Sequence, residues 1–197
     1  MANLTQHSFR CPSCGEIFTV NLPDVVNAAE GHEYKDILLS GELFLRECPH
    51  CSRRQVVSWP LAYIDTEGKH LVFLSDKQLS IDETEGYTAR LVDRAGDMIE
   101  KIKIFDYGLD DRAIELVKYV TKQDMNIPDA SLKFVRMDGA DSELVFTYPS
   151  KGQMEMIAIG FSVYEDCCAI IGRNPAISEA STGLVRIDED WVASLLR

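Results

Sequence analysis

Two pairs of cysteines have the spacing of ligands to a metal ion. Each pair follows the pattern C-x2-C with proline after the first cysteine, and the four residues are Cys11, Cys14, Cys48 and Cys51. Two residues between the cysteines let one tight turn present both sulfurs, while its backbone N–H groups stabilise the thiolates. Four thiolates at tetrahedral corners are a common ligand set of structural zinc. The spacing therefore predicts one structural Zn²⁺ bound by these four cysteines.

The segment between the two pairs is longer than in compact sites of this kind. It separates Cys14 from Cys48 by 33 residues, whereas roughly 15–20 is typical. Asp24 can cap a short helix through Val25, and residues 33–40 have a second helical pattern that stops at Gly41. We interpret this segment as a helical insertion between two knuckles, each of which lies between strand-like segments.

The second cysteine pair also permits redox chemistry. Cys48-Pro-His-Cys51 has the dipeptide of strongly oxidising thioredoxin-like sites, where a helix N-terminus lowers the thiol pKa. The alternative prediction is therefore thiol–disulfide exchange by Cys48 and Cys51. The residues after Cys51 have the pattern of a strand, and no βαβ pattern surrounds the motif, so the sequence favours the metal site.

Four arginines flank the cysteine pairs: Arg10, Arg46, Arg53 and Arg54. They suit a nucleic-acid-binding zinc ribbon, which is a second alternative, but they also offset the charge of a zinc tetrathiolate. The chain of 197 residues has 32 acidic and 20 basic residues and a net charge of −12. Such a surface repels phosphate backbones and argues against nucleic-acid binding.

The remaining residues predict neither a reaction nor a membrane anchor. Four thiolates fill the coordination shell of Zn²⁺ and leave no position for a reacting water. Asp110 and Asp111 precede a helical pattern, where they are expected to cap the helix. No apolar run approaches the roughly 18 residues that cross a bilayer, and the first ten residues do not resemble a secretory leader. We expect a cytoplasmic protein that binds a protein partner and is not an enzyme.

Hydrophobic periodicity predicts the elements around these residues. Helices are expected over 95–105 and 111–123, with Val120 on the apolar face, and a later helix places Cys167 and Ile170 inward. Strands over 132–137, 143–148 and 154–159 are expected to form a meander. The predicted fold class is α+β, with a zinc-ribbon-like β module that has a helical insertion, followed by helices and an antiparallel β-meander.

The polar residues 75–86 form the best internal linker. The chain is expected to divide into three segments. These are a zinc-ribbon-like four-cysteine module over 1–76, a helical connector over 77–126 and a C-terminal α+β segment over 127–197.

The motifs together resemble the CpXC domain family of bacterial and archaeal proteins. The resemblance is carried by Phe9-Arg-Cys-Pro-Ser-Cys-Gly15, Gly41-Glu-Leu43 and Cys48-Pro-His-Cys51, and it extends over roughly residues 9–122. It implies a cysteine-dependent module that binds zinc, but no activity, because the activity of the family is unassigned. Ser52 departs from the pattern, since glycine commonly follows the second pair.

Overall fold

The computed structural model describes residues 4–30, 32–75, 84–140 and 142–195. The chain divides into two compact units, Met1–Ile99 (unit 1) and Glu100–Arg197 (unit 2). Helices and mainly antiparallel sheets make up the protein, which confirms the predicted α+β class. Most of the predicted linker, 76–83, lies outside the described residues, and the three-segment division stays a prediction.

Unit 1 contains two hairpins and a separate mixed sheet. Its elements in chain order are β1 (Leu4–Arg10), β2 (Ile17–Pro23), β3 (Val25–Asn27), α1 (His32–Leu39), β4 (Leu45–Glu47), β5 (Arg54–Val56), β6 (Leu61–Asp65), β7 (His70–Leu74), β8 (Thr88–Val92) and the start of α2 (Ala95–Asp106). Antiparallel pairing joins β1 to β2 and β4 to β5. The mixed sheet has the order β8-β7-β6-β3, in which only β6 and β7 pair antiparallel.

The insertion between the cysteine pairs is only partly helical. The helix predicted to start at Asp24 is wrong, because Val25–Asn27 form β3 and pair in parallel with β6. The β-branched side chain of Val26 is buried there, as expected for a residue type that packs well on a pleated sheet. The second predicted helix is confirmed as α1, and the chain turns after it at Gly41, which has a φ of 80°.

Trp59 connects the two hairpins. Its indole N–H donates to the carbonyl of Pro23 at the end of β2, with an N···O distance of 2.9 Å. Its ring lies 5.4 Å from that of Phe44, which directly precedes β4. The backbone N–H of Val57 donates to the carbonyl of Phe44 at 2.8 Å. Because Trp59 is buried, these contacts fix the positions of both hairpins in the core of unit 1.

Unit 2 combines helices with a three-stranded sheet. After the end of α2, its elements are α3 (Asp111–Asp124), β9 (Lys133–Asp138), β10 (Glu143–Ser150), β11 (Gln153–Ile159), α4 (Phe161–Arg173), α5 (Pro175–Ala180), β12 (Leu184–Val185) and α6 (Glu189–Leu195). The strands β9, β10 and β11 form the predicted antiparallel meander. The Asp110 side chain caps α3 by accepting from the backbone N–H of Arg112 at 2.9 Å.

Two predicted core positions of the helices are wrong. Val120 of α3 is 38% exposed and Ile170 of α4 is 51% exposed. Both helices bury residues at positions i, i+3 and i+7, as in Tyr164, Cys167 and Ile171 of α4. A residue at i+6 lies to one side of that stripe, which is why the two side chains face solvent. Among the described residues, no helix is long and apolar enough to cross a membrane.

A chain of alternating charges, buried except for its last member, runs through unit 2. Its members in order of contact are Asp111, Lys101, Glu115, Lys118, Glu100 and Lys133, with successive N···O distances of 3.2, 3.1, 2.8, 2.9 and 3.1 Å. Glu100 also accepts from the backbone N–H of Phe134 at 2.7 Å. The chain therefore joins α2, α3 and β9 through polar contacts in the interior.

The members of this chain stabilise one another in their charged forms. Burial alone would raise the pKa of Glu100, but the ammonium groups of Lys118, Lys133 and Lys101 outweigh it and lower the pKa. Burial alone would lower the pKa of Lys118, but the carboxylates of Glu100 and Glu115 raise it. Both shifts favour the charged state, so Glu100 and Lys118 stabilise each other as a buried ion pair.

Replacing Lys118 by methionine should strongly destabilise unit 2. The change removes the cation between Glu100 and Glu115 and leaves two buried carboxylates close together, at a cost of about 3–5 kcal/mol in the free energy of unfolding. The matched control is Lys133→Met, because Lys133 also contacts Glu100 but its side chain is 38% exposed. Since Lys118 still pairs with the buried Glu100 in this variant, the loss of stability should be clearly smaller than in Lys118→Met.

Urea unfolding measures both changes in a Trp59→Phe background. The other tryptophan of the chain, Trp191, then reports on unit 2. Equal destabilisation by Lys118→Met and Lys133→Met would show that the burial of Lys118 does not determine the loss of stability.

Candidate metal centre

The first cysteine pair lies in the tight turn that joins β1 to β2. The backbone N–H of Cys11 donates to the carbonyl of Glu16 at 2.8 Å, and the N–H of Gly15 donates to the carbonyl of Cys11 at 2.9 Å. Gly15 has a φ of 79°, a conformation that glycine adopts without steric cost. This first knuckle brings Cys11 and Cys14 to the end of the hairpin.

The second knuckle has the same two backbone hydrogen bonds as the first. The backbone N–H of Cys48 donates to the carbonyl of Arg53 at 2.9 Å, and the N–H of Ser52 donates to the carbonyl of Cys48 at 2.8 Å. Ser52 takes the place that glycine has in the first knuckle, with a φ of 57°. The serine therefore preserves the turn, but its Cβ makes the left-handed conformation unfavourable.

The two knuckles bring all four cysteine sulfurs together. All four Sγ atoms lie within 4.8 Å of one another. The Sγ atoms of Cys11 and Cys51 are 3.7 Å apart, as are those of Cys14 and Cys48. Zinc–sulfur bonds of about 2.3 Å in a tetrahedron place the sulfurs about 3.8 Å apart, whereas a disulfide joins them at about 2.05 Å. The cysteines are free thiols whose spacing is compatible with one metal ion.

The sulfurs differ in exposure and in acidity. Cys11 and Cys48 are completely buried, Cys51 is half-buried and Cys14 is exposed. The backbone N–H of Cys14 lowers the pKa of Cys11 to about 6. The backbone N–H of Glu16 acts in the same direction on Cys14, but the neighbouring thiols, together with partial desolvation of the sulfur by the protein around it, outweigh it and raise the pKa of Cys14 to about 12. Ionisation of one thiol thus opposes ionisation of the next, a conflict that a divalent cation would remove.

The four arginines around the knuckles have different surroundings. The Arg10 guanidinium donates to the carbonyl of Gly15 at 2.9 Å and so braces the first knuckle. Arg46 is half-buried and donates to the backbone carbonyls of Glu42, before β4, and of Leu45, the first residue of β4. Arg53 and Arg54 are exposed where the chain enters β5. Two of the arginines therefore stabilise backbone near the site, and two remain at the surface.

The chain after the second knuckle is a strand. Residues Arg54–Val56 form β5 and pair with β4, so Cys48 and Cys51 do not lie at the start of a helix as in thioredoxin-like sites. The remaining cysteines are remote from the knuckles in sequence, and burial raises the pKa of Cys167 to about 11. Within the described ranges, the four knuckle cysteines are the one group of Cys, His, Asp or Glu side chains able to hold a metal ion.

Two hairpin knuckles with four convergent cysteines define a zinc-ribbon-like module. The family model for the CpXC protein matches residues 9–118, which is more than half of the chain and includes both knuckles. The chain belongs to the CpXC family, as the resemblance of its motifs predicted. No curated protein and no solved structure matches the chain.

Ser52→Gly should stabilise unit 1 by about 0.5–1 kcal/mol, because glycine adopts the left-handed conformation without the clash of a Cβ. The matched control is Ser52→Ala, which removes the hydroxyl, keeps the Cβ and should give no gain. The free energy of unfolding of the two variants, measured in urea with Trp59 fluorescence in a Trp191→Phe background, separates the two effects. A gain in Ser52→Ala equal to that in Ser52→Gly would show that the hydroxyl, and not the backbone, is responsible.

Proposed function

We propose that the protein is an interaction module whose N-terminal unit is stabilised by one structural Zn²⁺ bound to Cys11, Cys14, Cys48 and Cys51. The observation that carries this proposal is the convergence of four sulfurs within 4.8 Å, two of whose separations, at 3.7 Å, match the edge of a tetrahedral zinc site. Tetrahedral sites of four thiolates are typical of zinc or iron–sulfur chemistry. Zinc in such a site has no open position and no redox change, so its contribution is to folding.

A metal ion at this site would stabilise the fold of unit 1. The hairpin of β4 and β5 has only three residues in each strand, and a short two-stranded hairpin is marginally stable in water. A metal bound by both knuckles would cross-link this hairpin to that of β1 and β2. We therefore assign the ion to the fold and expect no catalysis at it.

A protein partner fits the surface of the two hairpins. Ile17 of β2 is 56% exposed, and Val56 of β5 is 68% exposed. Arg54 lies on the same face of β5 as Val56 and is also exposed. Apolar side chains beside a cation suit a protein surface that presents apolar and acidic groups. Because all six cysteines are free thiols, we also infer a reducing compartment, the cytoplasm. A bacterial source is likewise our inference, from a family of bacterial and archaeal proteins.

Removal of the metal should unfold the hairpins of unit 1. Cys14→Ser, Cys48→Ser or a chelator should abolish the hydrogen-exchange protection of β1, β2, β4 and β5, because structural zinc contributes on the order of 10–16 kcal/mol to the folding of small modules. The matched control is Cys167→Ser, which changes a buried cysteine outside the cluster and should leave this protection intact.

Three outcomes would contradict the proposal. Unchanged protection in Cys14→Ser and Cys48→Ser would exclude a structural metal. Exchange with a small disulfide substrate that requires Cys48 and Cys51 would favour the thiol oxidoreductase. Binding of single- or double-stranded DNA or RNA that weakens with salt and disappears in Arg53→Ala and Arg54→Ala would favour the nucleic-acid-binding ribbon.

A further inference from the structure

One edge of the meander in unit 2 is protected from pairing with another strand. At the outer side of β9, the backbone N–H of Phe134 donates to the Glu100 carboxylate at 2.7 Å. Lys133 and Arg136 add two cations to the same strand. Paired backbone groups and charged side chains are two ways in which proteins prevent a strand edge from pairing with another chain.

The other edge, β11, carries a single charged side chain, Glu155. In the part of the chain that the structure describes, β11 pairs with β10 alone, in a register that is regular from Leu144 opposite Ile159 to Ser150 opposite Gln153. Its seven residues include no lysine, arginine, proline or glycine and contain no bulge. Met154 and Met156 are 65% and 64% exposed.

An open edge of this kind requires a particular type of occupant. Along an edge strand, every second residue directs its backbone N–H and C=O away from the sheet, and these groups are satisfied best by another extended strand. On one exposed face of this edge the side chains are apolar, namely Met154, Met156 and Ala158, whereas Gln153 and Glu155 lie on the other face. The occupant is therefore an extended segment that carries apolar side chains and little charge.

The sequence of β11 is complementary to itself. When two copies run antiparallel with Met156 opposite Met156, Met154 lies opposite Ala158 and Glu155 lies opposite Ile157. Like charges directly opposite each other destabilise a pair of strands. In this register the single charge of the strand has an apolar residue opposite it. Glu155 also accepts a hydrogen bond from its own Tyr148 hydroxyl at 3.0 Å.

We propose that two copies of this chain associate by antiparallel pairing of β11 with β11 about Met156. The two meanders would then form one continuous six-stranded sheet with a cluster of methionines on one face. This inference is separate from the proposed function, because none of the four cysteines takes part. The net charge of −12 on each copy opposes association, so added salt should strengthen the dimer by screening that repulsion.

The full chain tests the proposal by sedimentation over a range of concentrations and salt. The mass should rise from 22.2 kDa toward twice that value as concentration increases, and earlier at higher salt. Met156→Lys places two ammonium groups opposite each other and should raise the dissociation constant on the order of tenfold or more. The matched control is Ile170→Lys, which changes another exposed apolar residue, on α4, and should leave the constant unchanged.

Hydrogen exchange locates the contact in the same samples. The amides of β11 should become protected as the dimer forms, and this protection should be lost in Met156→Lys. A chain that stays monomeric at its highest soluble concentration overturns the proposal, as does a dimer that Met156→Lys leaves intact. A monomer whose β11 amides gain protection only when a different extended peptide is added would overturn it in favour of another partner.

Discussion

Four sulfur atoms come within 4.8 Å of one another although 33 residues separate the two cysteine pairs. The structure of unit 1 follows from this constraint. Each pair occupies a turn with the same two backbone hydrogen bonds, each turn closes a hairpin, and Trp59 packs between the hairpins. The insertion that separates the pairs extends the unit without disturbing the knuckles, because it folds as β3, α1 and their connecting turns.

The two units rely on different interactions. In unit 1 the thiols oppose one another's ionisation, and a bound cation would favour their thiolate forms. In unit 2 the charges are already balanced, because Lys118 lies between Glu100 and Glu115 and each charge favours its neighbours. The buried charges of unit 2 are thus paired within the protein, whereas the cysteine cluster is compatible with a metal ion as the source of positive charge.

Short-range patterns predicted the cysteine turns, the helix α1, the long helices and the meander, because spacing and periodicity are local properties. The strand β3 was missed because its partner, β6, lies more than thirty residues further along the chain. The buried ion chain was also missed. Glu100 and Lys118 look like ordinary surface charges in the sequence, and only the packing of α2 and α3 against β9 takes them out of water.

The most direct test is to measure metal content and reactive thiols together, on full-length protein purified without chelator. The account predicts one zinc per chain, with Cys11, Cys14, Cys48 and Cys51 protected from alkylation until the metal is removed. Chelation should then release four thiols for each zinc lost. Protein without metal, in which these cysteines react freely or form disulfides, would contradict the account.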